Sequence, residues 1–330
     1  MSDLRRAAER GDAAAQTVLG KRLLAGQDIP GSPQEGASLI AAAAQNGGGE
    51  AAAIAAVLIG LGARSFADWT KALEYLQQAA ESGWASAQQQ LTVLGEDLEL
   101  AEQGRRSSAP PDIWGRLRRS IDLPTWWEIP AMREDSAAPK IGVYESFLNH
   151  RCCKWLIGRA RPRLERSRVF APDGKGAVTD TRTNSAFEFD LLSLDAVLLL
   201  VRARIAQAAG FAPFALENIN ILHYATGQQF ARHFDFLDPE VPGHAQEIAA
   251  KGQRVATFLV YLNDEYTGAE TEFPLLEKRF RCRTGGALLF FNVELSGAPD
   301  RRTLHAGLAP RAGEKWLLSQ WIRGRPVQSA

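Results

Sequence analysis

The sequence is poor in cysteine and has no long apolar run, and each shortage excludes a class of protein. Its three cysteines, Cys152, Cys153 and Cys282, are too few for a disulfide framework, and the adjacent pair lacks the CxxC spacing of a metal site. The longest apolar run covers thirteen residues, Ala51 to Ala63, whereas a membrane span needs about 20. The N-terminus has no apolar signal-peptide core. We therefore expect a cytoplasmic protein without a membrane anchor.

The chain also has no net charge, but only because an acidic part and a basic part cancel. The 330 residues include 38 basic and 38 acidic side chains. Up to Gly104 there are seven basic and 13 acidic residues, a balance of −6, and the remainder, with 31 and 25, has a balance of +6. This uneven distribution favours two joined domains and argues against a nucleic-acid-binding protein.

A motif recurs three times in the first hundred residues. Its glycines, Gly11, Gly47 and Gly83, are 36 residues apart, and each has an alanine three residues earlier and small residues four residues later. A fixed period of this length predicts a helical solenoid in which each glycine ends a helix. A plain alanine-rich helical bundle is the alternative. The motif resembles Sel-one-like repeats from about Leu4 to Gly95, and this resemblance implies a scaffold that binds a protein partner.

The pattern changes after residue 104. Residues 105–138 begin as a Ser- and Pro-rich linker, and Asp112 to Ile129 is expected to form a short helix and an extended segment between the domains. Residues 139–330 mix helices with short strands. Helices are predicted at Trp69–Ala80, Asn149–Arg159 and Leu191–Ala209, and strands at Ile141–Tyr144, Val169, Phe187–Phe189, Glu217–Tyr224, Gln229–Phe234, Arg254–Leu262, Arg279–Cys282, Ala287–Asn292, Thr303–Gly307 and Lys315–Ile322. The fold class is therefore α+β, with an all-α N-terminal part and a C-terminal β-sandwich or jelly roll.

Metal-ligating residue types occur at the ends of two predicted strands. His233 and Asp235 are two residues apart, so their side chains leave one face of a strand. The HxD pair is a weak signal by itself, but His305 lies in another strand 70 residues later. Two histidines and one carboxylate form the facial triad of non-haem iron(II) oxygenases.

Lys315 follows His305 by ten residues. A strand with His305, a turn at Pro310–Gly313 and a returning strand would bring Lys315 inside the barrel. An inward lysine there favours an anionic ligand, and 2-oxoglutarate has a far carboxylate that needs a cation. A solvent-exposed lysine beside Glu314 is the alternative.

From about Lys140 to Arg323 the chain resembles the prolyl 4-hydroxylase family of iron(II)/2-oxoglutarate dioxygenases. The ordered motifs that carry the resemblance are Tyr224…Gly227…His233-Phe-Asp235, Gly252-Gln-Arg-Val-Ala-Thr…Asn263, Gly268-Ala-Glu-Thr-Glu-Phe-Pro274, Gly285-Gly-Ala-Leu-Leu-Phe-Phe-Asn292, His305-Ala-Gly and Gly313-Glu-Lys-Trp…Trp321. The family usually has a second glycine where this chain has Ala269. The resemblance implies a double-stranded β-helix with supporting helices in residues 139–330, with its core at 217–323.

The resemblance also implies a role for each matching residue. His233, Asp235 and His305 would bind iron(II), and Lys315 would pair with the far carboxylate of 2-oxoglutarate. The remaining co-substrate residues would be Tyr224, Tyr261, Thr257 and Trp321, although core packing is an alternative for the two tyrosines and the tryptophan. Ascorbate would support the reaction, O2 would be the second co-substrate, and a prolyl residue in a peptide or protein would be hydroxylated.

Other functions remain open from the sequence. The jelly roll could be catalytically inactive in a repeat-based interaction protein, or it could oxidise a small molecule or a free amino acid. A cupin-like metal protein would lack Lys315 at this spacing. Of the other histidines, His223 faces away from the site, His150 begins a helix, and His244 lies in the loop Asp238–Gly252. The loops Arg166–Asp190 and Asp238–Arg254 flank the predicted mouth.

Overall fold

The computed structural model describes residues 2–27, 30–62, 67–106, 110, 112–167, 179–241 and 243–324. The chain divides into two compact units, Met1–Trp126 with Asp190–Val201, and Trp127–Phe189 with Arg202–Ala330. These units are defined by contacts, so the domain limits drawn from the sequence stay predictions. In the described part of the chain, none of the helices has the length and apolar character required to traverse a bilayer.

Successive helices that pack in pairs build the first unit. Its helices are α1 (Ser2–Glu9), α2 (Ala13–Ala25), α3 (Pro33–Gln45), α4 (Gly49–Gly60), α5 (Trp69–Glu81), α6 (Ala85–Leu94), α7 (Leu98–Gly104) and α8 (Ile113–Arg119). The repeat glycines Gly11, Gly47 and Gly83 join the helices of three successive pairs at φ of +88°, +84° and +83°. Each glycine N–H donates to the carbonyl of the alanine three residues earlier, at 3.0–3.1 Å. The recurring motif therefore encodes a recurring helix stop.

The predicted bridging segment Asp112–Ile129 contains two short helices. Instead of one helix and an extended segment, it forms α8 and then α9 (Leu123–Trp127). Trp114 and Trp126 are buried, each with 7% exposure. Packing thus accounts for both tryptophans.

Antiparallel strands dominate the second unit. Its helices are α10 (His150–Ala160), the C-terminal part of α11 (Ala196–Ala209) and α12 (His244–Lys251), and its strands are β1 (Arg133–Ala137), β2 (Lys140–Tyr144), β3 (Glu165–Arg166), β4 (Ser185–Phe189), β5 (Ile219–Tyr224), β6 (Phe230–His233), β7 (Arg254–Tyr261), β8 (Tyr266–Gly268), β9 (Thr271–Phe273), β10 (Lys278–Phe280), β11 (Ala287–Phe291), β12 (His305–Gly307), β13 (Pro310–Gly313) and β14 (Lys315–Arg323). An eight-stranded sheet has the order β1-β2-β11-β7-β14-β5-β4-β3, a smaller sheet has the order β10-β9-β12-β6, and β13 pairs with β8. The expected α+β jelly roll is confirmed.

Alternation along the central strands of the large sheet sets the inner face. In β14, every second residue from Lys315 to Trp321 lines the same cavity, and in β5 Leu222 and Tyr224 do so. Lys315 lies opposite Tyr224 in register. Apolar side chains from both sheets, including Leu259, fill the surrounding core. The polar residues of this face are therefore enclosed by hydrophobic packing.

Three local predictions need correction. The helix expected from Leu191 begins at Ala196, because the Asp195 side chain accepts the N–H of Leu198 at 2.8 Å and caps it there. The predicted loop Asp238–Gly252 contains α12. The expected turn Pro310–Gly313 is strand β13, which pairs with β8. The predicted strand at Val169 lies outside the described residues.

Candidate metal centre

Two neighbouring strands of the small sheet bring three ligand-type side chains together. His233 ends β6, His305 begins β12, and the two are paired in register. Asp235 follows β6, with its Oδ1 3.7 Å from Nε2 of His233 and its Oδ2 3.5 Å from Nε2 of His305. One ligand atom from each residue lies within 4.8 Å of the others. This donor set suits iron(II).

The backbone orients both imidazoles. Nδ1 of His233 lies 2.8 Å from the carbonyl oxygen of Ala231, and Nδ1 of His305 lies 3.0 Å from that of Thr303. A carbonyl can only accept, so Nδ1 carries a proton in each ring, and in the neutral imidazole the lone pair is then on Nε2. Both Nε2 atoms point towards Asp235, which leaves them ready to bind a metal.

Aromatic side chains hold the two rings in place. Phe230 stacks on His233 with 3.5 Å between centroids, and Phe273 and Phe290 lie 5.4 and 4.9 Å from His305. Burial, followed by the neighbouring His305, lowers the pKa of His233 to about 3. His233 is therefore neutral at physiological pH, which is the protonation state that a metal ligand requires.

Asp235 stays ionised in spite of its burial. Burial by itself would raise its pKa, but His305, His233 and the hydroxyl of Thr257 outweigh that effect and hold the pKa below its ordinary value. The Thr257 hydroxyl donates to Oδ2 of Asp235 at 2.7 Å. The structure thus places Thr257 behind the candidate metal carboxylate and not at the co-substrate end, because its only proton is used on Asp235.

Lys315 lies in the same cavity as the three ligand-type residues. It has no exposed surface, and its Nζ donates to the carbonyl oxygen of Ala269 at 2.8 Å. Burial lowers its pKa to about 7. Among the described residues no carboxylate forms an ion pair with it. A buried ammonium that faces a cavity with a carbonyl as its partner suits a carboxylate ligand.

Tyr224 and Tyr261 flank Lys315, with ring centroids 5.5 and 5.1 Å from Nζ. Tyr224 lines the cavity, and burial raises its pKa to about 12, so it remains a hydrogen-bond donor. The hydroxyl of Tyr261 instead contacts Oγ1 of Thr271 at 2.8 Å and the carbonyl of Phe280 at 3.1 Å. Tyr261 is therefore one residue removed from the cavity wall.

Thr271 is a cavity residue that the sequence analysis missed. It is buried, lines the cavity, and is held by Tyr261. Its position in the Gly268–Pro274 motif could have identified it, because that motif carries part of the family resemblance.

Two arginines lie over aromatic side chains that line the cavity. Trp321 lines the cavity as expected, and the guanidinium of Arg254 lies 3.7 Å from its ring centroid. Glu217 holds Arg254 with two hydrogen bonds of 2.7 and 2.9 Å. Arg182, which belongs to the loop Arg166–Asp190 predicted to flank the mouth, also lines the cavity and covers the ring of Phe230 at 4.5 Å.

The remaining histidines lie elsewhere. His223 contacts Glu314 at 2.7 Å and Trp316 on the outer face of the large sheet. His150 begins α10, as predicted, and His244 begins α12, where its Nδ1 lies 3.1 Å from the carbonyl of Asp238.

Comparison with known proteins gives matches for both parts of the chain. The model of the 2OG-Fe(II) oxygenase superfamily matches residues 219–323. Prolyl 4-hydroxylase 2 of Arabidopsis thaliana is 32% identical over 213 residues, which are 58% of this chain and 69% of the relative. Prolyl 4-hydroxylase 1 of the same plant is 33% identical over 206 residues, 57% and 70% of the two chains.

Two solved structures are similar to different parts of the chain. The viral collagen prolyl hydroxylase of Paramecium Bursaria Chlorella virus-1, in its 2OG complex, has 24% identity and a TM-score of 0.44, over 56% of this chain and 96% of that one. A Sel1 repeat protein from Oxalobacter formigenes has 25% identity and a TM-score of 0.31, over 36% of this chain and 96% of that protein.

Proposed function

Since the chain belongs to the prolyl 4-hydroxylase family of 2-oxoglutarate-dependent dioxygenases, we propose that it hydroxylates a prolyl residue in a peptide or protein. His233, Asp235 and His305 hold iron(II), and Lys315 binds the far carboxylate of 2-oxoglutarate. Ascorbate keeps the iron reduced. The three buried cysteines are free thiols, which fits a cytoplasmic location.

One observation carries the proposal. The buried ammonium of Lys315 and the His-Asp-His cluster line one cavity, with the cation on the large sheet and the three ligands on the small sheet. A ligand that bridges them needs a metal-chelating end and an anionic end. 2-Oxoglutarate has both. A catalytically inactive barrel would have no reason to keep an unpaired lysine in its core, because burial of a cation destabilises the fold.

The chain's own residues bind, orient and exclude water. Iron(II) with 2-oxoglutarate and O2 supplies the oxidation of an unactivated C–H bond, with succinate and carbon dioxide as the other products. The Nε2 atoms of His233 and His305 and the carboxylate of Asp235 would hold the metal. The hydroxyl of Tyr224 donates a hydrogen bond to 2-oxoglutarate, and Trp321 forms part of the cavity wall. The aromatic residues around His233 and His305 keep bulk water from the site.

A direct assay tests the enzyme. The protein would be incubated with iron(II), ascorbate, 2-oxoglutarate and proline-containing peptides, and succinate and the gain of one oxygen atom by the peptide would be measured. We expect both products from the wild type and neither from His233→Ala. His223→Ala is the matched control, since that histidine lies on the other face of the sheet. Succinate formation without peptide oxidation would mean that ascorbate reduces the second oxygen atom in uncoupled turnover and that none of the peptides is the substrate. Equal succinate from His233→Ala would contradict the proposed site.

The repeats are proposed to recruit the protein that is modified or a partner of it. The acidic balance of residues up to Gly104 and the regular helix pairs support a binding scaffold. Deletion of residues 1–104 should lower kcat/KM for a protein substrate and leave hydroxylation of a short peptide unchanged. The peptide reaction is the control for folding of the remaining chain. If the shortened chain still hydroxylates the peptide, an unchanged kcat/KM for the protein substrate would contradict recruitment.

A further inference from the structure

A hydrogen-bond relay ends on the carboxylate of Asp235. Thr257, a fully buried residue of β7, donates its hydroxyl to Oδ2 of Asp235 at 2.7 Å. Asn292, which directly follows β11 and is also fully buried, donates from Nδ2 to Oγ1 of Thr257 at 3.0 Å. Thr257 lies in the large sheet and Asn292 directly follows one of its strands, whereas Asp235 follows a strand of the small sheet. The relay therefore ties the candidate metal carboxylate to the opposite sheet.

The chemistry of the three groups fixes the direction of this relay. An ionised carboxylate can only accept, and an amide nitrogen can only donate. The hydroxyl of Thr257 has one proton, and because Asn292 donates to its oxygen, that proton goes to Asp235. Each hydrogen bond polarises the next in a buried chain of this kind. One oxygen of Asp235 is thereby occupied, and its rotation about the Cβ–Cγ bond is restrained.

Asn292 also reaches His305 through its backbone. Its carbonyl accepts the N–H of Asp300 at 2.9 Å, and the carbonyl of Asp300 accepts the hydroxyl of Thr303 at 2.7 Å. The carbonyl of Thr303 then lies 3.0 Å from Nδ1 of His305. The same residue thus restrains Asp235 through its side chain and His305 through its main chain.

We propose that Asn292 and Thr257 are positioning residues that preorganise the metal site by fixing the carboxylate of Asp235 relative to His305. This inference rests on the proposed assignment of the His-Asp-His cluster as the metal site. Neither residue touches the metal or the substrate; both act through Asp235. Partners in this position commonly contribute 10- to 100-fold, roughly, to metal affinity.

Cobalt(II) binding to the full-length protein tests the proposal without turnover. The affinity would be measured by competition with a chelator, and the visible d–d spectrum would report the coordination geometry. Thr257→Val removes the hydroxyl at nearly constant volume, and we expect roughly 10- to 100-fold weaker binding with an altered spectrum. Thr257→Ser keeps the hydroxyl and should retain most of the affinity. Thr92→Val, in the first unit, is the matched control, because that buried hydroxyl donates only to its own helix at the carbonyl of Gln89.

A double-mutant cycle separates the relay from general packing. Asn292→Ala should weaken cobalt binding in the wild type but should have little further effect in Thr257→Val, since the amide acts through the hydroxyl. Additive losses, or Thr257→Val with the wild-type affinity and spectrum, would overturn the relay. Wild-type protein that binds no cobalt would reject the metal site itself, and the relay with it. Thermal unfolding of each apoprotein shows whether a variant folds, and Thr257→Ser provides the comparison if Thr257→Val does not.

Discussion

The ammonium of Lys315 lies 2.8 Å from the carbonyl oxygen of Ala269, a non-glycine residue in the left-handed conformation at φ +58°. Gly268 before it also has a positive φ, of +73°. The two left-handed residues turn the chain so that the carbonyl of Ala269 faces the cavity side of β14. A strained turn on one side and a strand on the other thus aim the lysine at the site where a carboxylate would bind.

The depressed pKa of Lys315 predicts a pH dependence for 2-oxoglutarate binding. The ligand binds the protonated lysine, and in the free protein burial lowers the pKa to about 7. Above this pH the cation is progressively lost, so we expect the Kd for 2-oxoglutarate to rise with pH by about tenfold per unit. Anaerobic calorimetry on the manganese-loaded protein would measure it. In Lys315→Arg the guanidinium stays charged, so the Kd for 2-oxoglutarate should be higher than in the wild type but nearly independent of pH. The same increase of Kd with pH in both proteins would show that the lysine is not its cause.

Relief of backbone strain predicts that Ala269→Gly stabilises the protein. A left-handed conformation costs an alanine roughly 1–2 kcal/mol, and glycine adopts it freely, although glycine also loses more entropy on folding. We expect the free energy of unfolding to increase by about 0.5–1 kcal/mol in denaturant titrations, with 2-oxoglutarate affinity unchanged because the carbonyl is retained. Glu277→Gly is the control, since Glu277 is also left-handed, at φ +54°, whereas the hydrogen bond of Lys315 Nζ goes to Ala269. A decrease in stability for Ala269→Gly alone would show that the methyl group contributes more by packing than it costs in strain.

The sequence predicted the strands well because their residues alternate. His233 and Asp235 share a face by spacing alone, and Lys315 is buried, which excludes the solvent-exposed alternative. Partners were harder to predict, because contacts across strands depend on register. The resemblance assigned Thr257 and Tyr261 to the co-substrate. Their hydroxyls instead contact Asp235 and Thr271, through pairings that no local pattern contains. Helix α12 was missed since its eight residues follow Gly243, which read as part of a loop.

Removal of the charge that anchors Arg254 should loosen the wall formed by Trp321. The carboxylate of Glu217 binds Arg254 at 2.7 Å and contacts Arg323, whose side chain is 2% exposed. Burial opposes ionisation of Glu217, but the two arginines outweigh it and lower its pKa. Glu217→Gln would leave Arg254 without its carboxylate partner and Arg323 with Glu247 alone, so it should cost about 3 kcal/mol of stability and alter the tryptophan fluorescence. Glu247→Gln is the control, because Glu247 contacts Arg323 and the partner of Arg254 is Glu217. It should destabilise the protein without changing the tryptophan fluorescence. The same fluorescence change in both variants would contradict the link between Arg254 and Trp321.

The close approach of Gly307 to Tyr224 predicts that Gly307→Ala blocks the co-substrate end of the cavity. A Cβ atom at Gly307 would lie 3.1 Å from the Tyr224 hydroxyl oxygen, tighter than ordinary van der Waals contact. Gly307 and Tyr224 both line the cavity, so the tyrosine must shift towards the 2-oxoglutarate position. We expect the KM for 2-oxoglutarate to rise roughly tenfold, corresponding to about 1.4 kcal/mol of lost binding, while cobalt affinity stays unchanged because the ligands do not move. Gly158→Ala on α10 is the control, since its added methyl group would meet no atom within 4 Å. In the double variant Gly307→Ala/Tyr224→Phe the missing hydroxyl removes the clash, so the added methyl group should cost less there than in the wild type; an undiminished cost would place the obstruction on another residue.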